Sequence, residues 1–87
     1  MKEYSIARTA DEEVYVSQIK RIKEAKPDYL SAKRLQDVDG SDIVIFTYPD
    51  GVVEVYYDTY IDDTYVRANI PVDDLLVVEP FYIKDVA

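Results

Sequence analysis

Residues 42 to 58, DIVIFTYPDGVVEVYYD, constrain the fold more than any other stretch of the chain. Two runs rich in β-branched and aromatic side chains flank Pro49-Asp50-Gly51, a turn signal in which the glycine is free to adopt positive φ. The pattern predicts a β-hairpin. Its first run, residues 42 to 48, is apolar on both faces, as in a strand covered on both sides. In the second run, side chains alternate. Val53, Val55 and Tyr57 fall on one face, and Glu54, Tyr56 and Asp58 on the other.

The flanking segments extend this sheet. Residues 64 to 70, TYVRANI, place Thr64, Val66, Ala68 and Ile70 opposite Tyr65, Arg67 and Asn69. Residues 33 to 38 predict a strand turned by Asp39-Gly40. LLVVE, residues 75 to 79, predicts a further strand that Pro80 limits to an edge or a break. Upstream, YSIAR at residues 4 to 8 predicts a short opening strand. Thr9 and Glu12 have the spacing at which the two side chains cap each other's backbone amides, so a helix is expected to begin there. Val14 or Tyr15, Ile19, Ile22 and Ala25 give that helix its apolar stripe. Pro27 ends it and, as a first-turn proline, opens a second helical turn over residues 27 to 35. The sequence thus predicts an α+β fold, an N-terminal helical region followed by a four- to five-stranded antiparallel β-meander. ANIPVDDLLVVE, residues 68 to 79, resembles the place in SH3-type barrels where one helical turn precedes the final strand. That twelve-residue resemblance implies a partly open SH3-like barrel. The tryptophan and acidic binding-loop pattern of peptide-binding SH3 domains are missing, so no site carries over.

With 87 residues the chain is expected to form one small domain that buries roughly 60–65% of its unfolded surface. It has no cysteine and no histidine, which removes the disulfide framework, the thiolate metal site and the commonest general base. No apolar run approaches the roughly 20 residues that span a bilayer, so the expectation is a soluble cytoplasmic protein with no membrane partner. Asp62-Asp63 and Asp73-Asp74 imitate a glycosidase pair in sequence only, because neighbouring strand residues point to opposite faces. The two glycines, Gly40 and Gly51, sit in separate turns and make no phosphate loop. DTYIDDTY, residues 58 to 65, lacks the alternating acids and central glycine of a calcium loop, and the loop from Asp37 to Asp42 lacks the closing glutamate. The expectation is a non-catalytic protein without cofactor or metal.

Charge is what remains to be explained. The formal net charge is −8, divided very unevenly. Residues 1 to 36 hold most of the bases, six of them between Lys20 and Arg34, of which Lys20, Arg21, Lys23 and Lys26 complement the helix macrodipole. Beyond residue 36 the only bases are Arg67 and Lys84, against acids in nearly every turn. A chain so acidic is repelled by nucleic acid at long range, which argues against direct DNA or RNA binding. Same-face strand neighbours lie about 6.6–7 Å apart, similar to successive phosphates on a nucleic-acid strand. Carboxylates on a rigid sheet therefore present a phosphate-like row to a basic protein surface.

EVYYDTYIDDTYVR, residues 54 to 67, concentrates both acids and rings. The candidate partner-binding residues are Glu54, Tyr56, Asp58, Tyr60, Asp62, Asp63 and Tyr65, with the acids supplying charge and the tyrosines, as candidate exposed rings, supplying stiff amphipathic anchors. A turn is expected near residues 59 to 63, with Val55, Tyr57 and Ile61 directed to the core. In size, acidity and lack of catalytic residues the chain is similar to phage-encoded nucleic-acid mimics, such as anti-restriction, anti-CRISPR and uracil-DNA-glycosylase inhibitor proteins. The likeness implies an inhibitor of a basic nucleic-acid-binding protein or enzyme, acting in the host cytoplasm where phage-encoded. The alternative is an interaction or assembly module that docks a peptide, or a sister subunit in a homodimer, through an SH3-like or sheet-edge surface.

Overall fold

The computed structural model describes residues 1–87. From the N-terminus the chain runs β1 (Lys2–Ala7), α1 (Glu12–Ala25), β2 (Ser31–Gln36), β3 (Asp42–Tyr48), β4 (Gly51–Asp58), β5 (Asp63–Ala68) and β6 (Ile83–Asp85). The strands form one antiparallel sheet in the order β2-β3-β4-β5-β1-β6. The expected α+β class and antiparallel sheet are present. The sheet is open, with β2 and β6 at its edges, and does not close into an SH3-like barrel. Only β2 to β5 form a meander. A strand precedes the single helix, and β1 inserts between β5 and β6.

The predicted hairpin is β3 and β4, in register from Asp42↔Tyr57 to Tyr48↔Gly51. Gly51 does not take positive φ, and what requires a glycine there is close approach. A Cβ there would lie 2.7 Å from Ile70 Cγ2 and closer still to the Asn69 side chain, whose Oδ1 accepts from Val52 N at 2.8 Å. Between β2 and β3, Gly40 takes φ +93° as the Asp39-Gly40 signal predicts, with Gly40 N donating to Asp37 O and Asp37 N to Ser41 O.

Helix α1 covers one face. Its Tyr15, Gln18 and Ile22 are buried against Val44, Phe46, Val53, Val55 and Val66, all on the same side of the sheet. Tyr57 packs on this core beside Tyr15, ring centroids 5.7 Å apart. The other face has no helix, so β3 is covered on one side only and Ile43 and Ile45 stay partly exposed.

Three local expectations give way to tertiary contacts. The helix N-cap is Asp11, whose Oδ1 accepts from Val14 N at 3.1 Å, because the Thr9 carbonyl and Asp11 N are both engaged by the Thr64 hydroxyl. Residues 27 to 35 do not form a second helical turn. Leu30 N donates to Thr47 O and the chain joins the sheet as β2, every residue of which is exposed. LLVVE is not a strand. The buried Gln18 amide donates to Leu75 O at 2.8 Å and accepts from Val77 N at 3.0 Å, so the helix takes the backbone bonds a sheet neighbour would have taken. Val72 and Leu75 still reach the core, and the chain returns to the sheet at β6. No helix is long and apolar enough to cross a membrane.

Candidate partner-binding face and acidic end

Cross-strand partners share a face, so the register lays out the uncovered side of the sheet in rows. One row runs Leu35, Ile43, Tyr56, Tyr65, Ser5 from β2 to β1. The next runs Lys33, Ile45, Glu54, Arg67, Glu3, Lys84 from β2 to β6. Alternation in β4 therefore places Glu54, Tyr56 and Asp58 outward, as the sequence predicts. The first row is apolar and aromatic from Leu35 to Tyr65, and the second carries charge at every position except Ile45.

Tyr56 and Tyr65 stack with ring centroids 4.5 Å apart and planes at 14°. The Arg67 guanidinium sits 5.2 and 5.3 Å from their centroids. Arg67 Nε donates to Glu3 Oε1 at 2.8 Å, while Lys84 Nζ lies 3.2 Å from Glu3 Oε2. Tyr82 Oη lies 2.9 Å from Glu3 Oε2 and 3.0 Å from Asp63 Oδ2, with its one proton between the two carboxylates. Glu3 is thus a carboxylate with 3% side-chain exposure on a face that has no helix over it, covered by its own partners. Burial by itself would raise its pKa. The hydrogen bonds from Arg67, Tyr82 and Lys84 together outweigh burial and hold it below the ordinary glutamate value.

The candidate tyrosines divide. Tyr65 is buried beneath this stack, a correction to its reading as an exposed ring, and its hydroxyl donates to Asp58 Oδ2 at 2.9 Å. Tyr56 donates to Glu54 Oε1 at 2.9 Å. Burial raises both phenol pKa values, and the adjoining carboxylate raises each further, so these hydroxyls remain protonated donors. Tyr60 is the exposed ring, with 88% of its surface free at the tip of the β4–β5 turn.

That turn is fixed by its own acids. Asp58 Oδ1 accepts from Tyr60 N at 3.0 Å and Ile61 N at 3.2 Å. Asp62 adopts φ +54° and its Oδ1 accepts from Ala10 N at 2.9 Å, tying the turn to the start of α1. Asp63 accepts from Ser5 Oγ and Thr64 N through Oδ1. Thr59 bonds to Ser41 and to the Asp39 carbonyl, tying it to the β2–β3 turn. Ile61 is exposed, a correction to its assignment to the core, because the turn spans residues 59 to 62 and carries the side chain off the sheet.

Topology decides where the acids gather. Antiparallel strands bring the β2–β3 and β4–β5 turns to the same end of the sheet, and β1 delivers the N-terminus of α1 there too. Asp37 and Asp39, then Asp58, Asp62 and Asp63, then Asp11, Glu12 and Glu13 therefore share one end, with Tyr60 projecting among them. Arg8 is the base of that end, stacked 4.8 Å from the Phe81 centroid. Lys23 and Lys26 lie at the far end of the helix. No group of three or more carboxylates converges in a geometry that would hold a metal ion.

Sequence reasoning missed Glu3, Tyr82 and the helix-start acids as neighbours of the candidate residues. Alternation in β1 does place Glu3 and Ser5 opposite the apolar Tyr4 and Ile6, a signal of the face but not of the strand beside it. Comparison with protein-family models, with curated proteins and with solved structures finds no match to this chain.

Proposed function

We propose that this chain is a small acidic binding protein that occupies the basic nucleic-acid site of another protein and thereby inhibits it. The observation that supports this reading is the acidic end. Carboxylates from three separate segments share the end from which the exposed Tyr60 projects, on turns held by their own side-chain hydrogen bonds. Such an end meets a basic surface with little ordering left to do, since the turn is set before contact. Coulomb attraction steers the encounter and Tyr60 supplies the apolar anchor. Arg67 and Lys84 neutralise part of the uncovered face, so the centre of binding shifts from Glu54 and Tyr56 toward Asp58, Tyr60, Asp62 and Asp63.

The test is affinity capture on the immobilised protein at low and at high salt, with duplex DNA and RNA as competitors. Captured basic proteins should be released by salt and by nucleic acid. The triple variant Glu12→Gln, Glu13→Gln, Asp62→Asn removes three charges from that end and keeps an acceptor at residue 62. It should bind such a partner at least about tenfold more weakly at low salt, a loss of about 1.4 kcal/mol. Retention that ignores salt, competitor and variant alike would sink the proposal.

A further inference from the structure

Strand β2 is the long open edge of the sheet, since the other edge, β6, has three residues. Its hairpin turn fixes which backbone groups face away. Asp37 N donates to Ser41 O, and the antiparallel ladder alternates from there, so Leu35, Lys33 and Ser31 face β3. Ala32, Arg34 and Gln36 direct their N–H and C=O groups outward, where no strand receives them. The side chains of Lys33 and Leu35 lie on the uncovered face beside Ile45 and Ile43.

A second copy of β2 can pair here antiparallel only by matching outward residues with outward residues. Three registers with useful overlap satisfy this, with the two-fold axis at residue 33, 34 or 35. The first sets Lys33 against Lys33, and like charges directly opposite are destabilising; the second sets Lys33 against Leu35 on both sides of the axis and leaves the lysine charge without a partner. The third sets Leu35 against Leu35, Lys33 against Asp37 on both sides of the axis, and Arg34 against Gln36. Leu35 is 41% exposed, and Lys33 takes part in none of the chain's ion pairs. Arg34 is already neutralised by Asp42, which it grips through Nε and Nη2. The Asp37 carboxylate accepts only from the neighbouring Val38 N and makes no ion pair.

We propose that the chain forms a two-fold homodimer through β2 with Leu35 on the axis. The dimer doubles the six-stranded sheet and joins the two uncovered faces. The row Tyr56, Ile43, Leu35 then continues into the same residues of the second copy, which covers the half-exposed apolar side chains of β2 and β3. The two acidic ends point in opposite directions, and of their acids the dimer engages Asp37 and leaves Asp58, Asp62, Asp63 and the helix-start acids outside the interface. It stands independently of the proposed inhibitory function.

The absence of native cysteine makes the register directly testable. In the proposed dimer Leu35→Cys places two thiols opposite each other with Cβ atoms about 4.5–5.5 Å apart, close to disulfide range. Lys33→Cys and Arg34→Cys report the two rejected registers. Under mild oxidation at about 150 mM salt, where screening acts beyond about 8 Å, Leu35→Cys should cross-link at least about tenfold faster than either. Wild-type protein should sediment as a concentration-dependent monomer and dimer. Gln36→Pro, which removes an outward N–H and none bonded to β3, should weaken the dimer at least about tenfold with the circular dichroism unchanged. Should that variant misfold, Lys33→Asp must weaken the dimer and Lys33→Asp with Asp37→Lys must restore it. A wild type that stays monomeric at millimolar concentration, or Lys33→Cys cross-linking as fast as Leu35→Cys, overturns the proposal.

Discussion

The two faces of the sheet reach low exposure by different chemistry. Beneath α1, Phe46, Val53, Val55 and Val66 are buried with no polar atom to satisfy, and stability there is a matter of apolar area and close packing. On the uncovered face Glu3 and Tyr65 are nearly as buried, yet what covers them is Arg67, Tyr82, Lys84 and Tyr56. Non-directional burial tolerates a change of partner of similar volume. A charged network does not, because removing one member leaves another charge buried and unpaired.

The largest effect should come from the covered face. Phe46→Ala removes a fully buried ring and should cost about 3–5 kcal/mol, measured by denaturant unfolding. That is a large part of the roughly 4–13 kcal/mol expected for a domain of this length, so the variant should be partly unfolded at 37 °C.

Next comes the network. Glu3→Ala should cost about 2–3 kcal/mol, less than a fully buried ion pair because Arg67 keeps a third of its exposure and regains some hydration. The pH dependence separates charge from packing. The folded Glu3 pKa lies below its unfolded value, so the stability it contributes is present above the ordinary glutamate pKa of about 4.3 and is lost as pH falls through the folded one. Glu3→Gln should flatten the fall in stability below about pH 4.5 while leaving the slope between about pH 6 and 8 unchanged. An identical acid limb in wild type and variant would show that Glu3 is held by packing instead.

The smallest effects should differ between the two faces. The Tyr15 hydroxyl is buried under the helix near the Asp42 carboxylate without a well-formed hydrogen bond, so Tyr15→Phe should change stability by no more than about 1 kcal/mol. Tyr65→Phe removes the same atom from a bond to Asp58 and should cost about 1–2 kcal/mol. Equal costs in thermal unfolding would erase the distinction between the faces.

The hairpin, its turn and the inward residues Val53 and Val55 were legible in the sequence, because period-two alternation and turn chemistry are local properties of the chain. So were the body of the helix, its end at Pro27 and the Gly40 turn. The candidate site was legible in part. Glu54, Tyr56 and Asp58 face outward as alternation requires, but whether an outward ring is free or covered depends on neighbouring strands. Tyr65 is buried because Tyr56 and Arg67 close over it, and Ile61 is exposed because Asp58 and Asp62 hold the turn in its observed shape. Residues 27 to 35 and 75 to 79 have local signals too weak to decide, so the free Thr47 carbonyl and the Gln18 amide decided for them.

By itself, the sequence determined the class of fold, the faces of the central strands and an excess of negative charge, all of which follow from residue types and spacings of a few positions. Tertiary structure alone decided that β1 lies between β5 and β6, that Glu3 meets Arg67, and that acids from three distant segments share one end. Those outcomes depend on which strand edges find each other across more than 50 residues, where backbone hydrogen bonds supply attraction without sequence identity and the competition is settled by how the whole sheet packs.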